Sequence, residues 1–143
     1  MMNGKTAIVT GASSGIGEAT AARLAKAGYK VYGTSRRGAR GERSFAMLAL
    51  DVTSDNSVEA AVAEVMRRDG RIDLLVNNAG FTVAPAGAEE SSIEQSQSIF
   101  DTNFFGVVRM TRRWSGRWDA YTPSSLAWPP SLARLLESWP RRA

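Results

Sequence analysis

The chain has 143 residues, a net charge of +4, and neither cysteine nor histidine. That composition excludes disulfides, thiol nucleophiles, imidazole catalysis and a zinc site built on nitrogen or sulfur ligands. Its 43% hydrophobic and 22% charged residues suit a chain folding around one core, and no apolar run is long enough to span a membrane.

Thr6–Thr10 is a short apolar run of the kind buried on both faces of a parallel sheet. No signal-peptide pattern precedes it, so a cytoplasmic location is expected. A glycine-rich turn follows, then an alanine-rich helix from about Ile16 to Ala27 that Gly28 ends. Tyr29–Thr34 and Ala46–Leu50 read as the second and third strands. The segment between them, Arg36–Arg43, is rich in glycine and arginine and predicts a loop where a crossover helix would be expected. Thr53-Ser54-Asp55 is a capping cluster, and Val58, Ala61, Val62, Val65 and Met66 mark one face of the helix it opens. Ile72–Val76 is a fourth strand. Ser91-Ser92-Ile93-Glu94 predicts a capping box that opens a long helix with the stripe Ile93, Phe100, Phe104, Val107 and Thr111. Strands alternating with helices at this spacing predict an α/β fold with a parallel sheet covered on both faces.

Charge is distributed unevenly. Residues 1–108 hold 11 basic and 12 acidic side chains, and residues 109–143 hold seven basic and two acidic. All four tryptophans and four of the five prolines fall after residue 113. The expected organisation is therefore a domain over 1–113 and an irregular, basic, Trp- and Pro-rich tail over 114–143. The tail reads either as a strip for acidic partners or as an arbitrary peptide. Its composition is what a shifted reading frame through GC-rich DNA produces, and no nucleic-acid partner is expected.

Thr10-Gly11-Ala12-Ser13-Ser14-Gly15-Ile16-Gly17 sits between a strand and a helix. A diphosphate needs close backbone approach, free N–H groups and the positive end of a helix dipole. Gly11 suits the tight turn, Gly15 the approach to the ligand, and Gly17 the packing of helix on strand; Ser13 and Ser14 add hydroxyls. Ser35-Arg36-Arg37 ends the second strand without an acidic residue. Arginine there favours the 2′-phosphate of NADP, whereas an acid would favour NAD.

These motifs resemble the short-chain dehydrogenase/reductase family. Thr10–Gly17 matches its glycine signature, Leu50-Asp51-Val52-Thr53 its acidic position after the third strand, Asn77-Asn78-Ala79-Gly80 its second signature, and Asn103 its helix asparagine. The resemblance covers residues 4 to about 113. It implies a truncated Rossmann-type sheet of strand order 3-2-1-4, and NADP ahead of NAD as cofactor. It implies contacts to that cofactor from Gly11, Ser13, Ser14, Gly15, Ile16, Gly17, Ser35, Arg36, Arg37, Asp51, Val52, Asn78, Ala79 and Gly80. Asp51 would accept from adenine, or else merely begin a turn. Asn103, on the apolar stripe and expected to face the protein, would help position a catalytic lysine, or else be an amide satisfied by nearby backbone.

The family's catalytic serine and Tyr-x-x-x-Lys have no counterpart. The only lysines are Lys5, Lys26 and Lys30, and Tyr121 is followed at the lysine position by Ser125. Asn103 is then the one surviving catalytic candidate. The expected function is an NADP-dependent oxidoreductase by family, inactive as this chain; the alternatives are a non-catalytic nucleotide-binding protein, a truncated product, or a module acting through its basic tail. The fourth strand would be a sheet edge, and it or the long helix would offer a surface for self-association unless the tail covers it.

Overall fold

The computed structural model describes residues 4–38, 42–82 and 91–115. Four strands form one parallel sheet: β1 (Thr6–Val9), β2 (Lys30–Ser35), β3 (Ala46–Ala49) and β4 (Leu74–Val76), in the order β3-β2-β1-β4. Helix α1 (Gly15–Lys26) joins β1 to β2, and α2 (Asp55–Asp69) joins β3 to β4. After β4 come α3 (Ile93–Phe100), a five-residue π-helical turn (Asp101–Phe105) and α4 (Gly106–Trp114). The predicted tail lies outside the described residues from 116 onward. No helix among the described residues is long and apolar enough to cross a membrane.

The alternation of side chains along β1 explains the two layers. Ala7 and Val9 point to the α1 side, where Ala12, Ala21 and Val31 complete a small cluster. Ile8 points the other way and joins Tyr32, Leu50, Val52, Val58, Ala61, Val62, Val65 and Met110 under α2 and α4. The sheet is thus covered on both faces, and its strands carry few polar residues.

Helix starts follow their caps. Ser54 accepts from the Ser57 amide at 3.3 Å to open α2. The box that opens α3 is Ser92 with Gln95, one residue beyond the predicted Ser91 and Glu94: Ser92 Oγ accepts from the Gln95 amide at 3.2 Å, and Gln95 Oε1 accepts from the Ser92 amide at 2.9 Å. A glutamine oxygen serves as well as a glutamate oxygen there.

Two predicted faces are corrected. Met66 is exposed rather than part of the α2 core face. Ile93, Phe100 and Phe104 are also exposed, so the long-helix stripe is not a core seam in this chain. The π turn accounts for this: one extra residue per turn rotates everything after it, and the face that reaches α2 becomes Gly106 and Met110. Between β2 and β3 the described residues form a connection without a helix, as the composition of 36–43 predicts.

At the end of the sheet opposite the strand C-termini, Asp69 anchors three elements. Its nearly buried carboxylate accepts from Thr6 Oγ1 at 3.1 Å and from Lys30 Nζ. Burial pushes its pKa up, but the bonds from Lys30, Thr6 and Tyr32 outweigh that and leave it below the usual carboxylate value. Nearby, Thr6 N–H donates to Asp73 Oδ2 and Asp73 N–H to Thr6 O, both at 2.8 Å.

Candidate functional site

The site lies where the C-terminal ends of β1 and β4 meet, the crevice that open α/β sheets use for ligands. Directly after β1 the chain turns at Gly11, whose φ of +66° suits glycine. A Cβ at Gly11 would lie 2.8 Å from Ala79 Cα. At Gly17 it would lie 2.3 Å from Gly11 O and 2.4 Å from Asn78 Nδ2. Helix α1 therefore reaches its seat only because position 17 has no side chain.

Asn78 and Thr10 fasten this loop to the end of β4. Asn78 Nδ2 donates to Thr10 O at 3.0 Å and to Gly11 O at 3.1 Å. Thr10 Oγ1 accepts from the amides of Asn78 and Ala79, both at 2.9 Å, and donates to Val76 O at 3.4 Å. The second motif thus braces the first, and the hydroxyl of Thr10, to which sequence reasoning assigned no role, is the hub. Its place directly after β1, facing an Asn-Asn-Ala-Gly run after β4, was the available signal.

The rim of the loop is open. Ser13, Ser14, Gly15 and Ile16 are exposed, Ile16 at 80%. Gly15 has φ +59° and nothing within 4 Å of where a Cβ would sit. Ser14 takes the extended N-cap conformation, yet its side chain makes no capping bond to α1. Three features therefore converge: uncapped first-turn amides, the positive end of α1, and two free-standing hydroxyl-bearing residues on an unobstructed surface. That combination suits the diphosphate of a dinucleotide.

The second wall is the end of β2. Ala12 N–H donates to Thr34 O at 2.9 Å, which ties the two walls together. Ser35 Oγ donates to Gly38 O at 3.1 Å, turning the chain so that Arg36 and Arg37 stand exposed beyond the strand. Arg43 then returns to the first wall. It donates to Ser13 O at 3.1 Å and pairs with Glu18 at 2.5 Å. Sequence reasoning counted Arg43 only as one of several loop arginines, since nothing local in the sequence reveals that contact.

The remaining residues divide. Asp51 Oδ1 accepts from Thr53 N at 2.9 Å and Thr53 Oγ1 at 2.7 Å, and the Asp51 amide donates to Ser57 Oγ at 3.0 Å. The turn-forming role is thus present whether or not adenine is bound. Val52 is buried, and its carbonyl accepts from Arg109 at 3.3 Å. Arg109 also pairs with Asp101 at 2.8 Å and Asp55 at 3.4 Å, holding the π turn against the start of α2. Asn103 is exposed rather than buried as its place on the stripe predicted, because the π turn swings it toward the loop after Gly80. There Asn103 Nδ2 donates to Phe81 O at 2.8 Å, and Phe81 N–H donates to Asn103 Oδ1 at 3.0 Å. Tyr121 lies outside the described residues.

Comparison with known proteins agrees with this geometry. The family model described as short chain dehydrogenase matches residues 5–121. The chain is 44% identical over 106 residues to a 3-ketodihydrosphingosine reductase of Bacteroides thetaiotaomicron, covering 73% of this chain and 39% of that protein. It is 36% identical over 113 residues to an NADP-dependent 3-hydroxy acid dehydrogenase of Escherichia coli, covering 73% and 45%. The crystal structure of a 3-ketoacyl-(acyl-carrier-protein) reductase from Brucella melitensis complexed with NADH superposes with a TM-score of 0.74 at 38% identity, covering 79% of this chain and 50% of that one. The chain spans less than half the length of these two curated relatives. A family match over most of the chain, a sheet of the same order and a glycine loop braced by Asn78 converge on one conclusion: the chain belongs to the short-chain dehydrogenase family.

Proposed function

We propose that residues 1–113 form the NADP(H)-binding part of a short-chain oxidoreductase, and that the 143-residue polypeptide by itself binds the dinucleotide without turning substrate over. The observation that carries the reading is the open cradle at Ser13–Gly17, with uncapped α1 amides and a glycine loop held from behind by Asn78. A nicotinamide dinucleotide supplies hydride chemistry when bound. In this proposal the chain's own groups hold it: the α1 amides and the Ser13 and Ser14 hydroxyls at the diphosphate, Ser35, Arg36 and Arg37 at the 2′-phosphate, Asp51 and Val52 at adenine, and Ala79 and Gly80 along the ribose.

NADP rather than NAD is favoured by two exposed arginines directly after β2 and by the lack of an acid there. One similar protein is named as NADP-dependent and another was crystallised with NADH, so the arginines carry the choice. Catalytic incompetence rests on the missing Tyr-x-x-x-Lys. The exposed Ile93, Phe100 and Phe104, together with the three-residue edge strand β4, favour association with a second copy of the chain.

The deciding experiment titrates the 143-residue chain with NADPH and with NADH by fluorescence or calorimetry. Saturable binding, tighter for NADPH, is expected; a chain that binds neither would refute the proposal.

A further inference from the structure

The connection from β2 to β3 leaves one wall of the crevice and is pinned to the other. It leaves at Arg36 and Arg37, and near its far end Arg43 reaches across to the glycine-rich loop and α1. Its partner Glu18 stands in the first turn of α1, the same helix end that the diphosphate would use. A free carboxylate in that turn favours the helix dipole, but it repels any phosphate brought to the same place. Arg43 removes that charge: the guanidinium is only 14% exposed and lies 2.5 Å from the carboxylate. Its Nε–H is buried and has no partner among the described residues, so Glu18 and Ser13 do not exhaust its donors.

We propose that Arg43 is a specificity-determining residue for a 2′-phosphorylated dinucleotide. It cancels Glu18 and fastens the arginine-bearing connection to the glycine-rich loop, so that Arg36, Arg37 and the α1 N-terminus present one uninterrupted cationic surface. This inference rests on the cofactor reading above and adds a residue and a charge pair to it.

The test uses the 143-residue wild-type chain with Arg43→Ala, Glu18→Gln and the double variant, each titrated with NADPH and NADH. An unpaired carboxylate several ångströms from a phosphate weakens binding by roughly tenfold after screening. Arg43→Ala is therefore expected to lose about tenfold for NADPH and less than about twofold for NADH. Glu18→Gln should tighten NADPH alone, and adding it to Arg43→Ala should recover most of the loss. Equal weakening of both cofactors by Arg43→Ala would overturn the proposal, because a purely structural clasp does not distinguish them. An unchanged NADPH-to-NADH ratio in Glu18→Gln would overturn it too, even if Arg43→Ala fails to fold. Wild type that binds neither cofactor would refute the cofactor reading and this inference together, whereas wild type that prefers NADPH alongside indifferent variants would refute the role of Arg43 alone.

Discussion

The side-chain amide of Asn103 pairs with the backbone of Phe81 as one strand pairs with another, donor to carbonyl and amide to acceptor. This double bond joins the π turn to the segment that follows Gly80, and Gly80 itself packs close beneath: a Cβ there would lie 3.1 Å from Asn103 Oδ1. Asn103→Asp keeps the acceptor and sets a carboxylate against Phe81 O, while Asn103→Ala removes both bonds. We expect each to lower stability by about 1–2 kcal/mol, with Asp at least as harmful as Ala at neutral pH. Urea unfolding checks this, and an Asp variant as stable as wild type would show that the Nδ2 bond contributes nothing.

Gly17→Ala tests the seat of α1. The added Cβ meets backbone oxygen and the bracing amide of Asn78 well inside contact distance, and neither can yield cheaply. A loss of about 1–3 kcal/mol is expected, along with loss of measurable dinucleotide binding. Gly15→Ala meets no atom, and only the positive φ costs it, about 1–2 kcal/mol. A thermal melt and an NADPH titration on both variants separate steric conflict from backbone strain.

The fold was largely legible because its signals are local and repeated. Each strand is a short apolar run, each boundary has a glycine or a hydroxyl cap, and the glycine loop announces its place by lying between them. Asn103 and the aromatic residues around it were not legible. Ile93, Phe100 and Phe104 have helical spacing, but spacing assumes a uniform helix, and the π turn at Asp101–Phe105 breaks that assumption with no glycine or proline to mark it. Arg43 was hidden for a different reason, since its partners Ser13 and Glu18 lie 25 or more residues away and salt-bridge rules read only neighbours.

Arg36→Ala together with Arg37→Ala tests the choice of cofactor. Charge-assisted bonds to a phosphate contribute roughly 1.5–3 kcal/mol each. NADPH affinity is expected to fall by at least tenfold, and NADH affinity to stay nearly constant. Equal losses would assign the two arginines to holding the loop.

Acid should weaken the fold in a defined window. Bonds from Arg67 and Arg68 hold Glu64 at about 2, Arg71 holds Asp73 below its usual value, and the Lys30, Thr6 and Tyr32 bonds do the same for Asp69. Each folded-state pKa lies below its unfolded value, so the unfolded chain binds more protons in acid. The stabilisation is whole above the ordinary carboxylate pKa near ~4 and is lost as pH falls through the folded values. Urea midpoints should be flat from about pH 6 to 5 and decline below about 4. Asp69→Asn should lower the neutral midpoint and make the acid decline shallower.

Turnover is expected to be absent. With no lysine after Lys30, no phenol in the chain has the Tyr-x-x-x-Lys arrangement that lowers its pKa. General acid–base help is worth typically about 10²–10⁴ in rate. Purified 143-residue chain with saturating NADPH should show no reduction above background on a panel of carbonyl compounds. Activity abolished by Tyr121→Phe would contradict this.

The two faces of the sheet differ in substance. Ile8, Tyr32, Val65 and Met110 are large and fully enclosed under α2 and α4, while the α1 side is closed by Ala7, Val9, Ala12, Ala21 and Val31. Amide exchange should reveal that imbalance as a gradient, slowest in α2 and its strands and faster in α1, which can detach through smaller excursions. The half of the molecule offered to a ligand is therefore the half with most to gain from one. Occupancy would add RT ln(1 + [L]/Kd) to its protection and draw the fast-exchanging layer toward the slow one.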